Sequence, residues 1–535
     1  MYKSRAHRIF ELRPLWSGLK PIVALTVIIS CGYVGHSADS LDAILQQSQD
    51  LIQKGDLATA RSALERGLKA FPQNGNLYGL LGVVEAQSGN YAASETNFQK
   101  AIARIPHFTA AYLNLGQLYQ VHAAKDPQAL RKAAETYESL LRYEPENRDA
   151  LYQCSHVLLR QGSYQRSLEY MARLPAADQE SPQALSVKCA ALAATGRSGE
   201  AGAVAELLLR HPQTAEIDVH TTVSFLESQG ELKLAEKLLR GRTEGGHGTY
   251  QSFRALGQFY KRQERWKEAR ESLDLAAQFR PNDAPLLYEL AQTAYGQNDF
   301  KGALGYLAHA RELEPRSAKI HFFWGIVCIK ENLVREAYES FQQATSLDPE
   351  NPYYTYALGA AAFAHSRSAE AVASFQKYRR LRPTDPRGRL ALGATYFDRS
   401  EFDHATRELQ AAAESPETAA MAHYYLACMA NLTGDRQGAL RELHLGLKAN
   451  PQSPENHAEL GATYLKLRDY PQAEKALHQA LKIDPDNETA NLNLMILYQR
   501  TQDPRAAEQE KHYNEVRKKL QRTRTDILRS VEVER

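Results

Sequence analysis

The sequence predicts an all-α protein, a solenoid of helical hairpins, and three observations carry that reading. Small residues recur 34 positions apart at Gly257, Ala291, Gly325, Gly359, Gly393, Ala427 and Gly461. Alanines recur with the same step at Ala269, Ala303, Ala337, Ala371, Ala405, Ala439 and Ala473. Prolines close the units at Pro281, Pro315, Pro349, Pro383, Pro451 and Pro485, with Pro416 one residue early. Independent columns that agree over so many units mark a repeat architecture. Such an array lengthens by adding units, so a chain of 535 residues need not close several globular cores.

Each column has a physical reason. Gly or Ala on the first helix of a hairpin lets the second helix approach, and the alanine column lies at that crossing. Leu256, Leu290, Trp324, Leu358, Leu392, Leu426 and Leu460 accompany it, while Leu273, Leu307, Phe341, Phe375, Leu409, Leu443 and Leu477 fill the core between the helices. A further small column (Ala276, Ala310, Ala344, Ala412, Gly446, Ala480) admits the next hairpin, and Tyr378 breaks it. Proline cannot continue a helix, so it ends each unit and resets the chain.

Residues 1–37 are set apart. Lys3, Arg5, Arg8, Arg13 and Lys20 stand against Glu11, and Pro21 to Val34 is an uncharged apolar run. That run would reach only about 21 Å as a helix, short of a hydrocarbon core. A basic start, a short apolar stretch and then small residues is the order of an export signal. Three endings are open: cleavage after Gly35-His36-Ser37, lipidation of Cys31 after Ile28-Ile29-Ser30, or retention as an anchor. The expected location is the periplasm, cell envelope or outside, with any membrane contact confined to this segment. Without it the formal charge falls from +2 to about −2, which gives no whole-molecule argument for nucleic acid.

The array then begins. Ala60, Leu64 and Pro72 mark a first unit, and Leu81, Gly82, Tyr91, Phe98, Ala101 and Pro106 a second. A third is stretched: Tyr112, Leu115, Gly116 and Tyr119 match its first helix, and Ala133, Tyr137 and Pro145 arrive late, after an insertion. Residues 148–240 keep helical period as three degenerate hairpins. Four glycines in 241–248 suggest a hinge over 241–249. Clean units occupy 250–501. The charged stretch 502–535 is expected to cap the last apolar face, as such arrays require.

The order Leu460, Gly461, Tyr464, Tyr470, Ala473, Leu477, Ala480, Pro485 resembles the tetratricopeptide repeat family, as do Leu256, Gly257, Tyr260, Ala269, Leu273, Ala276 and Pro281. The resemblance runs from about residue 41 to 501 and implies a right-handed α-solenoid of about thirteen hairpins. It also implies that the first helices line a concave face where a protein or peptide partner binds. Projected onto that face are Tyr288, Tyr295, Phe322, Tyr353, Tyr356, Phe363, Phe397 and Tyr424, with Arg254, Lys261 and Arg262 beside them. The Leu, Gly and Ala columns already account for the hairpin core, so these rings read as a surplus, and aromatics flanked by Arg suit a binding surface. Some family members clamp a C-terminal carboxylate with Lys and Asn on one first helix and Lys and Arg two hairpins on. No three consecutive units here present that set.

Catalytic motifs are absent from the sequence: there is no GxGxxG, P-loop, HExxH, GxSxG or acidic calcium loop. No cofactor and no metal are expected. The five cysteines form no CxxC pair, and those after Cys31 fall on apolar stretches as small hydrophobes. His321, His423 and His457 occupy equivalent places on first helices, which points to packing. Arg517, Lys518, Lys519, Arg522 and Arg524 are interleaved with Glu508, Glu510, Glu515 and Asp526, without aromatics spaced for base stacking. The expected function is a non-enzymatic, exported protein-interaction scaffold. A carbohydrate- or lipid-binding solenoid and an enzyme with an unrecognised site are the competing readings.

Overall fold

The structure is a computed structural model that describes residues 40–246 and 248–520. Residues 1–39, with the expected export segment and Cys31, residue 247 and the chain beyond 520 lie outside the described residues. Within them every regular element is a helix. The chain forms two compact units that divide between Leu256 and Gly257, inside the helix Tyr250–Arg262 and a few residues beyond the glycine cluster.

The first unit pairs Leu41–Gln53 with Leu57–Ala70, Gly75–Gln87 with Tyr91–Arg104 and Thr109–His122 with Ala129–Tyr143. The three degenerate hairpins follow: Arg148–Arg160 with Tyr164–Ala172, Pro182–Ala194 with Ser198–Arg210, and Glu216–Gln229 with Leu232–Gly241. In the second unit Trp266–Phe279 precedes Ala284–Gly296 with Phe300–Leu313, Ala318–Lys330 with Val334–Leu347 and Pro352–Ala364 with Ser368–Leu381. Arg387–Asp398 with Phe402–Ala413, Ala419–Thr433 with Arg436–Ala449 and Pro454–Lys466 with Tyr470–Ile483 complete it. Glu488–Thr501 then receives Ala506–Leu520, whose Val516 is buried and whose Gln509 Nε2 donates to Asn491 Oδ1 at 2.9 Å.

The hairpin core is set by a steric fit that is tighter than the column reading implies. A Cβ placed on Gly325 would lie 2.5 Å from the Phe341 ring, and one on Gly359 would lie 2.7 Å from Phe375. On Gly116 it would lie 2.3 Å from Tyr137. The small residue therefore seats the large side chain sixteen positions on, or twenty-one in the stretched third unit. Where alanine takes its place, at Ala291 and Ala427, the partner is Leu307 or Leu443 and never an aromatic. The degenerate units keep the balance in another currency of size. Ser155 stands opposite the Met171 place and donates its Oγ to the Ser167 carbonyl at 2.8 Å. Cys189 directs Sγ to the Ala201 carbonyl at 3.5 Å, with the smaller Ala205 in the large residue's position.

Tyr378 is accommodated by the same logic. The next first helix places Gly388 where a Cβ would be 3.0 Å from the Tyr378 ring, and the Tyr378 hydroxyl donates to Asp385 Oδ2 at 2.5 Å. The glycine cluster is only partly about freedom of the backbone. Gly245 and Gly246 take left-handed φ of 70° and 78°. Gly241, inside its helix, instead leaves room for Leu209 at 2.4 Å.

Every hairpin but the stretched third one, whose first helix ends on right-handed Ala123, turns through one left-handed residue. In the first unit it is glycine at Gly55, Gly89, Gly162, Gly196 and Gly230. In the second it is Glu264, Asn298, Asn332, Ser366, Ser400, Gly434 and Arg468, each 34 after the last. Two backbone bonds close these turns except at Gly434, as where Asn298 N donates to Tyr295 O at 3.0 Å and Asp299 N to Ala294 O at 2.9 Å. A side chain at such a φ is strained.

Two stability measurements check this account. Ser366→Gly and Ser400→Gly should each raise the unfolding free energy by roughly 0.5–1 kcal/mol, while Ser→Ala at the same sites should not. Gly359→Ala should cost about 1–3 kcal/mol by overpacking against Phe375. Combined with Phe375→Leu it should cost much less than the two single changes summed, a coupling that urea melts of the four proteins would read.

Candidate functional site

First helices of consecutive hairpins touch one another through polar side chains, which defines the shared face they present. Gln120 Nε2 donates to Gln153 Oε1 at 3.0 Å in the first unit. In the second, Gln258 Nε2 donates to Glu289 Oε1 at 2.7 Å, and Lys261 Nζ to Gln292 Oε1 at 2.7 Å. Asn431 Nδ2 donates to Glu459 Oε1, also at 2.7 Å. This is the face that the family resemblance projects as the binding surface.

The projected aromatics divide into two groups. Phe322 is 2% exposed, with its ring 5.6 Å from Phe341 and 4.7 Å from Tyr354 of the next hairpin. Tyr288 and Tyr356 are 8% exposed; Tyr288 packs 5.3 Å from Phe323, and Tyr356 lies 4.9 Å from Tyr378. These three rings are core, which corrects their reading as a surplus. The Leu, Gly and Ala columns fill each hairpin, but the seam between hairpins also needs filling, and these rings fill it. Tyr295, Tyr353, Phe363, Phe397 and Tyr424 are half-buried and keep contact with solvent. Tyr353 has the Arg382 guanidinium 5.8 Å from its ring, and Phe397 lies 5.6 Å from Tyr425. Arg262 is exposed in the second unit. Arg254 belongs to the first, where its NH1 donates to the Tyr250 hydroxyl at 3.1 Å.

The repeated histidines are structural. His321 Nε2 donates to the Pro315 carbonyl at 2.9 Å and His457 Nε2 to the Pro451 carbonyl at 3.0 Å, each tying a first helix to the proline that closed the preceding hairpin. Asn491 does the same at Pro485, at 3.0 Å. His423 instead pairs Nδ1 with Glu442 at 2.7 Å. Among the described residues no group of three or more His, Cys, Asp and Glu is placed to hold a metal ion. No described helix is long and apolar enough to cross a membrane.

Two polar clusters on first helices, one in each unit, were not singled out from the sequence. On Arg148–Arg160, Tyr152, His156 and Arg160 follow one another at four-residue spacing, so they share one side of the helix. The Tyr152 and His156 rings lie 6.2 Å apart and nearly parallel. Burial lowers the His156 ring to about 4, helped by the charge of Arg160, and pushes the Tyr152 phenol up to about 12 with help from Asp218. The spacing was the available signal. In the second unit Tyr424, Cys428 and Asn431 on Ala419–Thr433 meet Glu459 and Thr463 on Pro454–Lys466. Burial raises the Glu459 carboxyl above the usual range and pushes the Cys428 thiol up to about 12. No single column carries that second cluster, because it needs two hairpins.

The His156 ring gives a pH prediction. Its folded titration point lies below the unfolded one, so the unfolded chain takes the proton first as pH falls. Stability should therefore decline between about 6.5 and 4 on this account. His156→Gln should remove that part of the decline, which melts across pH 4–7 would detect, and the ring resonances of the parent should titrate near 4.

Tetratricopeptide repeat family models match residues 45–107 and 329–386, 124–192, and 455–487. No curated protein matches the chain. Among solved structures the chain is similar to the APC/C hetero-tetramer Cut9–Hcn1, at 16% identity over 85% of this chain and 96% of that one, with a TM-score of 0.34. It is also similar to yeast Tom70, at 15% identity over 92% and 94% with a TM-score of 0.36. A tetratricopeptide repeat protein from Parabacteroides merdae gives 18% identity over 47% and 98%, with a TM-score of 0.35. From its repeated steric columns, its hairpins and these family matches, the chain belongs to the tetratricopeptide repeat family.

Proposed function

We propose that the chain is a non-enzymatic protein-interaction scaffold that binds an extended or helical peptide segment on the face formed by its first helices. One observation carries the reading. The apolar columns are consumed in packing, yet the first helices still carry half-buried rings and enclosed polar groups that solvent reaches. In the second unit Tyr295, Tyr353, Phe363 and Phe397 supply apolar contact and Glu459 a directional group; in the first unit, taken by itself, Tyr152 and His156 supply directional groups beside the exposed Arg160. Aromatic and Arg side chains in partly desolvated surroundings are the residue types that dominate binding energies, at about 2 kcal/mol or more each.

We place this scaffold outside the cytoplasm, in the cell envelope, on the strength of the basic start and the apolar run from Pro21 to Val34. Mass spectrometry of the isolated protein's N-terminus separates the routes. A start at Ala38 means a cleaved signal, a lipid-modified Cys31 means a lipoprotein, and an intact Met1 means that no cleavage occurs.

The face is tested by photo-crosslinking in an envelope extract, with a benzophenone amino acid at Tyr353 or at the exposed Glu312 of a second helix. Crosslinks to one protein from position 353 and none from 312 are the expected result. Crosslinks from 312 alone would put binding on the other side and overturn the assignment. Glycan or lipid adducts at 353, with no protein, would favour the carbohydrate or lipid reading instead.

A further inference from the structure

We propose that the second unit holds a subsite for a basic side chain of the bound segment, with Glu459 as its anion and Tyr424 as its wall. The inference rests on the scaffold reading above and names the chemistry of what that scaffold takes.

Glu459 is poorly compensated for where it sits. One oxygen, Oε1, accepts from Asn431 Nδ2 at 2.7 Å; the other, Oε2, meets no hydrogen-bond donor among the described residues, and no cation there lies within ion-pair distance of the carboxylate. The nearby cations are committed or remote. Arg436 donates its NH1 to the Asn431 carbonyl and, at 3.3 Å, to Asn431 Oδ1. Lys466 is exposed and acts on Glu459 only through longer-range attraction. Asn431 itself is 5% exposed and cannot turn: its Nδ2 also donates to Thr463 Oγ1 at 2.7 Å, and Arg436 fixes its oxygen. The amide therefore holds the carboxylate in one orientation, with Oε2 left over.

The remaining neighbours offer no positive charge. Tyr424 and Cys428 face Glu459 from the adjacent first helix, and each is held in its neutral form by burial and by the carboxylate's field. Tyr424 sets its ring edge-on to Tyr425 at 5.2 Å. A half-buried carboxylate with one neutral donor and one unpaired oxygen is under-compensated, and a ligand that brings a cation supplies what is missing. An aromatic wall adds attraction for an ammonium or guanidinium group. An acidic segment would meet repulsion at the same place, so the arrangement selects for charge as well as binding it.

Two measurements on the full chain test this. Calorimetry with an end-blocked hexalysine, and with hexaglutamate as the control, compares the parent with Glu459→Gln and with Glu169→Gln, an exposed glutamate of the first unit. Hexalysine should bind the parent and the Glu169 variant alike, Glu459→Gln should weaken it by about tenfold or more, and hexaglutamate should not bind. A parent that ignores hexalysine, or a Glu459 variant that binds as the parent does, overturns the subsite. If a protein still crosslinks at position 353 in that case, the scaffold reading stands without it; hexalysine binding lost in the variant with no protein crosslink has the opposite meaning.

The second measurement needs no ligand. A carboxyl whose folded titration point is raised weakens the fold once it ionises, and the penalty vanishes as pH falls below the unfolded value. Glu459→Gln should therefore raise the melting temperature at pH 7, with the gain shrinking toward pH 4. A lower melting temperature at pH 7 would make Glu459 a structural residue and overturn the proposal.

Discussion

Nearly every hairpin depends on room for one large side chain beneath its first helix. Gly325 and Gly359 have no Cβ because Phe341 and Phe375 already occupy that volume. This contact sets how closely the second helix approaches, and the second helix in turn forms the seat for the next hairpin. Phe322 then reaches Tyr354 across the seam, and first helices come close enough for Asn431 to bond Glu459. The candidate site is thus a consequence of a packing constraint that lies on its far side. Interiors packed like crystals transmit such constraints because there is no slack to absorb them.

Much of the fold was legible because the constraint repeats. A column that recurs in every unit shows itself without any comparison, and proline adds punctuation. The degenerate hairpins were harder to read because they satisfy the same constraint with different atoms. Ser155 and Ser167 replace an apolar contact with a pair of hydrogen bonds, and Cys189 trades size with Ala205. The left-handed turn residue was in plain view as Gly55, Gly89, Gly162, Gly196 and Gly230, yet the column dissolves in the second unit. Glu264, Ser366 and Arg468 hold the same backbone there, so composition conceals a position that geometry keeps.

The site was legible only in part, and the reason is physical. Helical projection says which side of a first helix a residue occupies, but the neighbouring hairpin decides whether that side is free. Tyr288, Phe322 and Tyr356 project as Tyr353 and Phe363 do, and the seam takes the first three. Glu459 was invisible for another reason. Its meaning comes from Asn431, Thr463 and Arg436 acting together, and those residues sit on three helices. A repeat-column search favours what recurs, whereas specificity lies in what occurs once.

That contrast bears on how a uniform scaffold becomes selective. The backbone is nearly the same from hairpin to hairpin, so shape alone distinguishes few partners. Charge placed where water is scarce distinguishes them strongly, because an unmet ion or a like-charge contact there costs more than an extra apolar contact gives. The first unit carries a neutral imidazole between Tyr152 and Arg160, and the second carries a carboxylate held by Asn431. Neither arrangement serves the packing that the columns already secure. Enclosed polar groups that weaken a fold they do not build have a reason to exist when a ligand completes them. On that argument the chemistry of recognition in this chain lies less in its many aromatic rings than in the few ionisable groups set among them.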